Sequence, residues 1–172
     1  MTEPDVLFEP CLVADHAGLF AGLVEQVAWD ERMRARKTAC FGRPYNYSSV
    51  TYPEVTMHPL LVPVAELLER RLGHLPNNCL LNYYESAAST MGFHSDSEDE
   101  LVPGTGVAIV SLGAERAITF RSKQDRRVEH RLSLPGGSLL YMPAGLQKHY
   151  KHAILEQEGA GPRISLTLRA LR

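Results

Sequence analysis

Residues 163–169 read Arg-Ile-Ser-Leu-Thr-Leu-Arg, a strict alternation of polar and apolar side chains. Successive side chains of a strand point to opposite faces, so the stretch predicts a β-strand with one polar and one apolar face. The polar face carries Arg163, Ser165, Thr167 and Arg169. Such a face inside a protein would need an anion, and a guanidinium can bind a carboxylate through two hydrogen bonds. The alternative is an edge strand with its arginines in water, where arginine is more often found.

Further short runs upstream are separated by Gly, Pro or charged turns and are also typical of strands. They are Cys79–Tyr84, Val107–Leu112, Ala117–Arg121, Val128–Leu134, Ser138–Met142 and Tyr150–Ile154, and the last run of the chain is Arg163–Leu171. Strands at this spacing predict a β-sandwich or jelly roll.

The first third of the chain predicts helices instead. Asp15 can cap a helix whose apolar residues, from Leu19 to Val27, recur at helical spacing. A second helix is predicted from Pro59 to Arg71, with Gly73 at its end. We therefore expect one mainly β domain over residues 1–172, with the N-terminal helices in residues 1–75 and the jelly-roll core in residues 76–172.

Composition limits the class of protein. The chain has 172 residues, with 18 Lys and Arg against 20 Asp and Glu, so its net charge is −2 and a strongly basic nucleic-acid wrapper is excluded. Cys11, Cys40 and Cys79 lack CxxC spacing, which argues against a disulfide framework or a zinc knuckle. There is no signal-peptide pattern and no apolar run long enough to span a bilayer. We expect a soluble, cytoplasmic protein without membrane attachment.

One histidine stands in a pattern that suits a metal. His94 and Asp96 form His-x-Asp, and in extended backbone residues two apart point to the same side. A second histidine would have to come from residues 147–154, where alternation allows His149 or His152. Two histidines and one carboxylate form the non-haem Fe(II) oxygenase arrangement, which leaves positions open. Taken alone, His-x-Asp is more often a solvated acidic turn.

Four elements in order resemble the AlkB family of Fe(II)- and 2-oxoglutarate-dependent dioxygenases. They are Asn82-x-Tyr84, His94-x-Asp96, His152 and the row from Arg163 to Arg169, and the stretches Asp99–Gly104, Ile109–Gly113 and Gly137–Met142 also match the family's nucleic-acid-repair members. Upstream, Arg36–Gly42 and Tyr45–Ser48 resemble the family's substrate lid. The resemblance covers roughly residues 36 to 171 and implies a double-stranded β-helix of the Fe(II)/2-oxoglutarate oxygenase type.

The resemblance also implies roles for individual residues. His94, Asp96 and His152 match the iron ligands, and His152-Ala-Ile fits the family better than His149 does. Arg163 matches the arginine that pairs with the distal carboxylate of 2-oxoglutarate. Arg169 matches the family's second arginine in this row, which lies at the metal. The remaining co-substrate contacts fall on Asn82, Tyr84, Thr167 and Ser165. The match at Ser165 is weaker, because several members of the family carry Asn there.

The implied reaction removes an N-alkyl group, of the 1-methyladenine or 3-methylcytosine type, from DNA or RNA. It uses Fe(II), 2-oxoglutarate and O₂ and releases formaldehyde and succinate. The target base must leave the helix or come from a single strand to reach such a site.

Four side chains are candidates for contacts with that base. The aromatic residues of the lid stretch could stack on it or could instead form an apolar clasp over the barrel mouth. Glu98 matches the acidic residue that touches the base in repair members, and its alternative is a solvated acid. The candidates are Phe41, Tyr45, Tyr47 and Glu98.

Two arginine-rich stretches, residues 32–43 and 121–131, could bind phosphates, although each could also be a solvated face. No apolar wedge for entering a duplex is evident between residues 29 and 36, which favours single-stranded DNA or RNA as the partner of a monomeric enzyme. The rival hypotheses are an AlkB-like hydroxylase of a small molecule or protein side chain, and a non-catalytic binding module. Positive potential around the barrel mouth favours nucleic acid, a narrow apolar or acidic mouth favours the hydroxylase, and splayed ligands favour the binding module.

Overall fold

The computed structural model describes residues 3–47 and 50–172, without the side chain of Tyr47. Its α-helices are α1 (His16–Gln26) and α2 (Val62–Leu72). The strands are β1 (Leu7–Glu9), β2 (Lys37–Gly42), β3 (Tyr45–Tyr47), β4 (Val50–Tyr52), β5 (Asn78–Tyr84), β6 (Met91–His94), β7 (Val107–Gly113), β8 (Arg116–Ser122), β9 (Glu129–Leu134), β10 (Leu139–Met142), β11 (Tyr150–Ile154) and β12 (Arg163–Arg169).

The strands form two main antiparallel sheets. The larger sheet has the order β1-β10-β7-β12-β5-β2, and the smaller one has the order β6-β11-β8-β9. A separate hairpin pairs β3 with β4. An apolar core that includes Ile109, Ile118 and Phe120 lies between the two sheets. The predicted mainly β, jelly-roll fold class is confirmed.

The position of β12 decides between the buried strand and the edge strand, because β12 lies at the centre of the large sheet, between β7 and β5. Its apolar residues, Ile164, Leu166 and Leu168, belong to a second core that the large sheet shares with Leu23 of α1 and Leu68 of α2. Its polar residues therefore face the smaller sheet. Both arginines are buried, with relative exposures of 0% and 2%, so the edge-strand alternative is wrong.

The two helices have the predicted caps, but α2 begins later than predicted. Asp15 caps α1 by accepting a hydrogen bond from the Gly18 N–H at 3.1 Å. Gly73 ends α2 with a φ of 87°, which a residue with a side chain rarely adopts. The helix begins at Val62 rather than at Pro59, because the chain first makes a turn in which the Leu61 N–H donates to the carbonyl of His58.

The N-terminal third contributes strands that were not predicted. Both β1 and β2 belong to the larger sheet, so the predicted division at residue 75 does not separate the helices from the barrel. These strands are recognisable only by their pairing: β1 lies along β10 and β2 lies along β5.

Neither α1 nor α2 has the length and apolar character that crossing a bilayer would require.

Candidate active site

Three potential metal ligands meet at one end of the space between the sheets. His94 ends β6, Asp96 lies two residues later, and His152 is paired with His94 across β6 and β11. One donor atom from each of the three lies within 4.8 Å of the others. His149 instead follows a 3-10 turn and is exposed. Strand register thus brings His152, and not His149, to the cluster.

Both imidazoles are prepared to bind a metal. The Nδ1 atom of His94 lies 2.8 Å from the carbonyl oxygen of Gly92, which can only accept a hydrogen bond, so Nδ1 must carry the hydrogen. In the neutral ring Nε2 then carries the lone pair, and it lies 3.4 Å from Asp96 Oδ1. Burial lowers the pKa of His152 to about 4, against the opposing effect of Asp96. His152 is therefore neutral at neutral pH, as a ligand must be.

Asp96 is a carboxylate in a nearly closed environment, with 6% of its side chain exposed. Burial raises the pKa of its carboxyl, but the neighbouring polar groups, with the charge of Arg169 first among them, outweigh burial and hold the pKa well below its usual range. The guanidinium of Arg169 lies 3.3 Å from Asp96 Oδ2. The carboxylate therefore stays ionised, as a metal ligand must be.

The opposite end of the same pocket is built around Arg163. This side chain is fully buried, and its Nη2 donates to Ser111 Oγ at 2.9 Å, while Nε and Nη1 have no partner in the described part of the chain. Burial lowers the pKa of Arg163 only to about 10, so the group is charged at neutral pH. A buried cation with two nitrogen atoms whose N–H groups are unused needs an anion, and a carboxylate matches its geometry.

The other predicted co-substrate residues line this pocket between its two ends. They are Asn82 and Tyr84 on β5, and Ser165 and Thr167 on β12, together with the apolar wall Leu80, Met91, Ile109, Ile118 and Ile154. Arg36 donates from Nε to Asn82 Oδ1 at 2.8 Å. Because its oxygen accepts from Arg36, the Asn82 amide is held in one orientation, with the NH₂ group as its donor. Sequence reasoning missed this role of Arg36 and the contact of Ser111 with Arg163.

Four of the five cations in the arginine-rich stretch at residues 32–43 have partners within the chain, while Arg34 is exposed, and the predicted phosphate contact of the stretch stays a prediction. Arg32 pairs with Asp30 at 2.5 Å, Lys37 with Glu31 at 3.1 Å, Arg36 with Asn82, and Arg43 donates to the carbonyl of Arg172 at 2.6 Å.

Two of the predicted base-stacking aromatics have other contacts. Phe41 packs against the core on the helix side of the large sheet, where its ring lies 5.5 Å from that of His58, and its predicted contact with substrate stays a prediction that this packing does not support. Tyr45 is buried, and its ring centroid lies 4.4 Å from Cζ of Arg169, so it packs on the guanidinium that faces Asp96. The side chain of Tyr47 lies outside the described residues, and its contact stays a prediction.

Glu98 connects two loops beside the candidate metal ligands. Its Oε2 accepts a hydrogen bond from the Gly145 N–H at 2.8 Å, and its side chain is half-buried. The contact gives Glu98 a structural role that the sequence did not indicate, while its predicted contact with a base stays a prediction.

Comparisons with known proteins agree with this geometry. Residues 20–169 match the family model described as the 2OG-Fe(II) oxygenase superfamily. The chain is 31% identical to alpha-ketoglutarate-dependent dioxygenase alkB homolog 3 of Bos taurus, over 89% of this chain and 60% of that protein. It is 33% identical to DNA oxidative demethylase ALKBH2 of Mus musculus, over 79% of this chain and 62% of that protein. The chain thus spans about three fifths of the length of these curated relatives.

The fold comparison covers nearly the whole chain. The solved structure of OsALKBH1 superposes with a TM-score of 0.67 at 16% identity, covering 98% of this chain and 99% of that one. With the match over residues 20–169 and the relatives above, the chain belongs to the 2OG-Fe(II) oxygenase superfamily, and its relatives include AlkB homologues.

Proposed function

We propose that the protein is an Fe(II)- and 2-oxoglutarate-dependent demethylase that removes N-alkyl groups from bases in DNA or RNA. The observation that carries the proposal is one pocket with His94, Asp96 and His152 at one end and the unsatisfied guanidinium of Arg163 at the other. Two imidazoles and a carboxylate fit Fe(II), and the buried cation fits the far carboxylate of a dicarboxylic acid. The name of ALKBH2, DNA oxidative demethylase, supports the choice of substrate.

The chain's own groups would bind, orient and shield the reactants. Bound Fe(II) with 2-oxoglutarate and O₂ supplies the oxidation, in which one oxygen atom enters succinate, CO₂ leaves, and the other oxygen enters the N-alkyl carbon that departs as an aldehyde. His94, Asp96 and His152 would hold the metal, and Arg163 would orient the co-substrate. Three isoleucines on the pocket wall, Ile109, Ile118 and Ile154, would shield the reactants from water.

The second arginine-rich stretch forms a cationic groove on the outer face of the smaller sheet. The groove is lined by Phe93, Arg121, Ser122, Lys123, Arg126 and Lys151. Phe93 and Lys151 directly precede His94 and His152, so their side chains leave the opposite face of the same strands. The groove therefore lies immediately behind the candidate metal centre, and the proposal assigns it to the phosphates that flank the target base.

The charges of this groove differ in how far they are engaged. Arg121 pairs with Glu129 at 2.6 Å, and its Cζ lies 3.6 Å from the ring centroid of Phe93. Lys123 donates to the carbonyl of Gln147 at 2.6 Å. Arg126 and Lys151 are exposed, and in the described ranges 3–47 and 50–172 they form no ion pair. These two side chains are therefore the best probes of a phosphate contact.

Arg126→Ala or Lys151→Ala should weaken binding of single-stranded DNA equally with and without a methylated base. Each phosphate contact contributes about 0.7 to the slope of log K against log salt for single strands. We expect either change to reduce that slope by about 0.7, measured by fluorescence anisotropy at several salt concentrations. Arg70→Ala removes an exposed arginine from α2 and is the matched control. Equal slopes for Arg126→Ala, Lys151→Ala and the unchanged protein would contradict the groove assignment.

The activity is tested with oligonucleotides that carry 1-methyladenine or 3-methylcytosine. We expect formaldehyde release that requires both Fe(II) and 2-oxoglutarate and that is faster on single strands than on the matching duplex. Liquid chromatography of the nucleosides should show the unmodified base in an amount equal to the formaldehyde. If succinate forms with a small molecule or a peptide while every methylated DNA and RNA stays intact, the nucleic-acid substrate is wrong and the alternative hydroxylase is right.

A further inference from the structure

Gln147 joins the two segments that carry the candidate metal ligands. It lies on the 3-10 turn Leu146–Lys148 and is 4% exposed, and its Oε1 accepts a hydrogen bond from the Asp96 N–H at 3.0 Å. Its Nε2 donates to Met142 Sδ at 3.5 Å. We propose that Gln147 is a positioning residue that sets the place of the Asp96 carboxylate relative to His152. This inference rests on the metal centre of the proposed function.

Asp96 needs such support because it is the one ligand outside a strand. His94 and His152 are held by the pairing of β6 with β11, but β6 ends at His94 and Asp96 lies in the loop that follows. Metal affinity depends on ligand positions to within a fraction of an ångström. A contact that holds the main chain of Asp96 therefore acts directly on the geometry of the ligand set.

Two other contacts hold the same loop, one to the start of β11 and one to the turn before it. Ser95 Oγ donates to the carbonyl of Tyr150 at 2.8 Å, and Glu98 Oε2 accepts from the Gly145 N–H at 2.8 Å. The turn from Gly145 to His149 leads directly into β11, which begins at Tyr150 and carries His152. Among these contacts, that of Gln147 is the one made to the ligand residue itself.

The contact requires an acceptor oxygen at the end of a side chain of this length. A buried N–H without a partner is costly, so the site needs an oxygen at this position. An asparagine would be one carbon shorter and could not span the same distance, whereas a glutamate would place an acceptor oxygen in the same position. Methionine has nearly the same length and volume but removes the oxygen.

The test measures Mn²⁺ binding by electron paramagnetic resonance, without nucleic acid and without turnover. Gln147→Met is expected to weaken Mn²⁺ binding by about 10- to 100-fold, the range found for residues that support metal ligands. Gln147→Glu, which keeps the acceptor, should restore most of the affinity. The matched control is Gln157→Met, because Gln157 Oε1 accepts from the Ala117 N–H at 2.9 Å in the same way but away from the metal ligands. Gln157→Met should lower the melting temperature without weakening Mn²⁺ binding.

The outcomes separate this inference from the proposed function. The positioning role is overturned if Gln147→Met binds Mn²⁺ as tightly as the unchanged protein. It is also overturned if Gln147→Glu binds Mn²⁺ as weakly as Gln147→Met. Equal losses in Gln147→Met and Gln157→Met would also overturn it, since a general loss of stability would then explain both. If Asp96→Asn binds Mn²⁺ as tightly as the unchanged protein does, both the metal centre and this inference are overturned.

Discussion

Asp96→Asn is expected to abolish formation of succinate and to weaken Mn²⁺ binding by more than about 100-fold, because partners outside a ligand set are already worth about 10- to 100-fold. Asparagine keeps the shape of the side chain but removes its charge. The surroundings of Asp96 keep the carboxylate ionised, because its polar neighbours, with the charge of Arg169 first among them, hold its pKa low despite burial. The neutral amide cannot replace a charged ligand there.

Asp99→Asn is the control for this change, because Asp99 is an exposed acid in the same loop. It should keep the Mn²⁺ affinity and succinate formation of the unchanged protein. Succinate formation is measured by mass spectrometry and Mn²⁺ binding by electron paramagnetic resonance. Undiminished turnover in Asp96→Asn and in His94→Ala would show that the three residues do not hold the metal.

Arg163→Met is expected to raise the concentration of 2-oxoglutarate needed for half-maximal rate by at least about 25-fold. Removing one partner of a buried charge pair costs about 2–5 kcal/mol, and each 1.4 kcal/mol is about a factor of ten. The structural reason is the environment of this guanidinium, which is fully buried and has Nε and Nη1 without partners in the part of the chain that the structure describes. Arg163→Lys should give an intermediate value, since lysine keeps the charge but not the planar fork.

Arg116 provides the matched control, because it is also fully buried and also lies over the ring of Tyr84, but its guanidinium donates within the chain. Its guanidinium donates to backbone carbonyls, among them those of Ser89 at 2.9 Å and Leu155 at 2.7 Å. Arg116→Met should lower the melting temperature and change the 2-oxoglutarate requirement much less than Arg163→Met. If the two variants change that requirement equally, or if Arg163→Met leaves it unchanged, the assignment of the carboxylate to Arg163 is wrong.

The metal and co-substrate candidates could be named from sequence because each motif is local and because the motifs, taken in order, resemble those of a known family. His-x-Asp needs only two residues in extended backbone, and alternation alone separates the polar from the apolar face of β12. The choice between His149 and His152 was different, since alternation allowed both. The pairing of β6 with β11 settles it by placing His152 opposite His94.

The substrate side was harder to predict because aromatic and cationic residues have many uses. Phe41 lies on the helix side of β2, and Tyr45 packs on Arg169. Arg36 was grouped with possible phosphate contacts but is buried against Asn82. The residue type of an aromatic or cationic side chain does not reveal whether an acid, a carbonyl or a ring of the same chain lies close enough to bind it.

The sequence by itself determined the jelly-roll class, the types of the metal ligands and the polar row of β12, because strand alternation and ligand chemistry belong to neighbouring residues. Only the tertiary structure decided that β12 lies at the centre of a sheet, which turns Arg163 and Arg169 from surface charges into buried ones. It also decided that Gln147 supports Asp96, a contact between residues 51 apart in the chain. The physical reason is that burial and long-range hydrogen bonds depend on which strands and turns pack together, and no local pattern of residues specifies that.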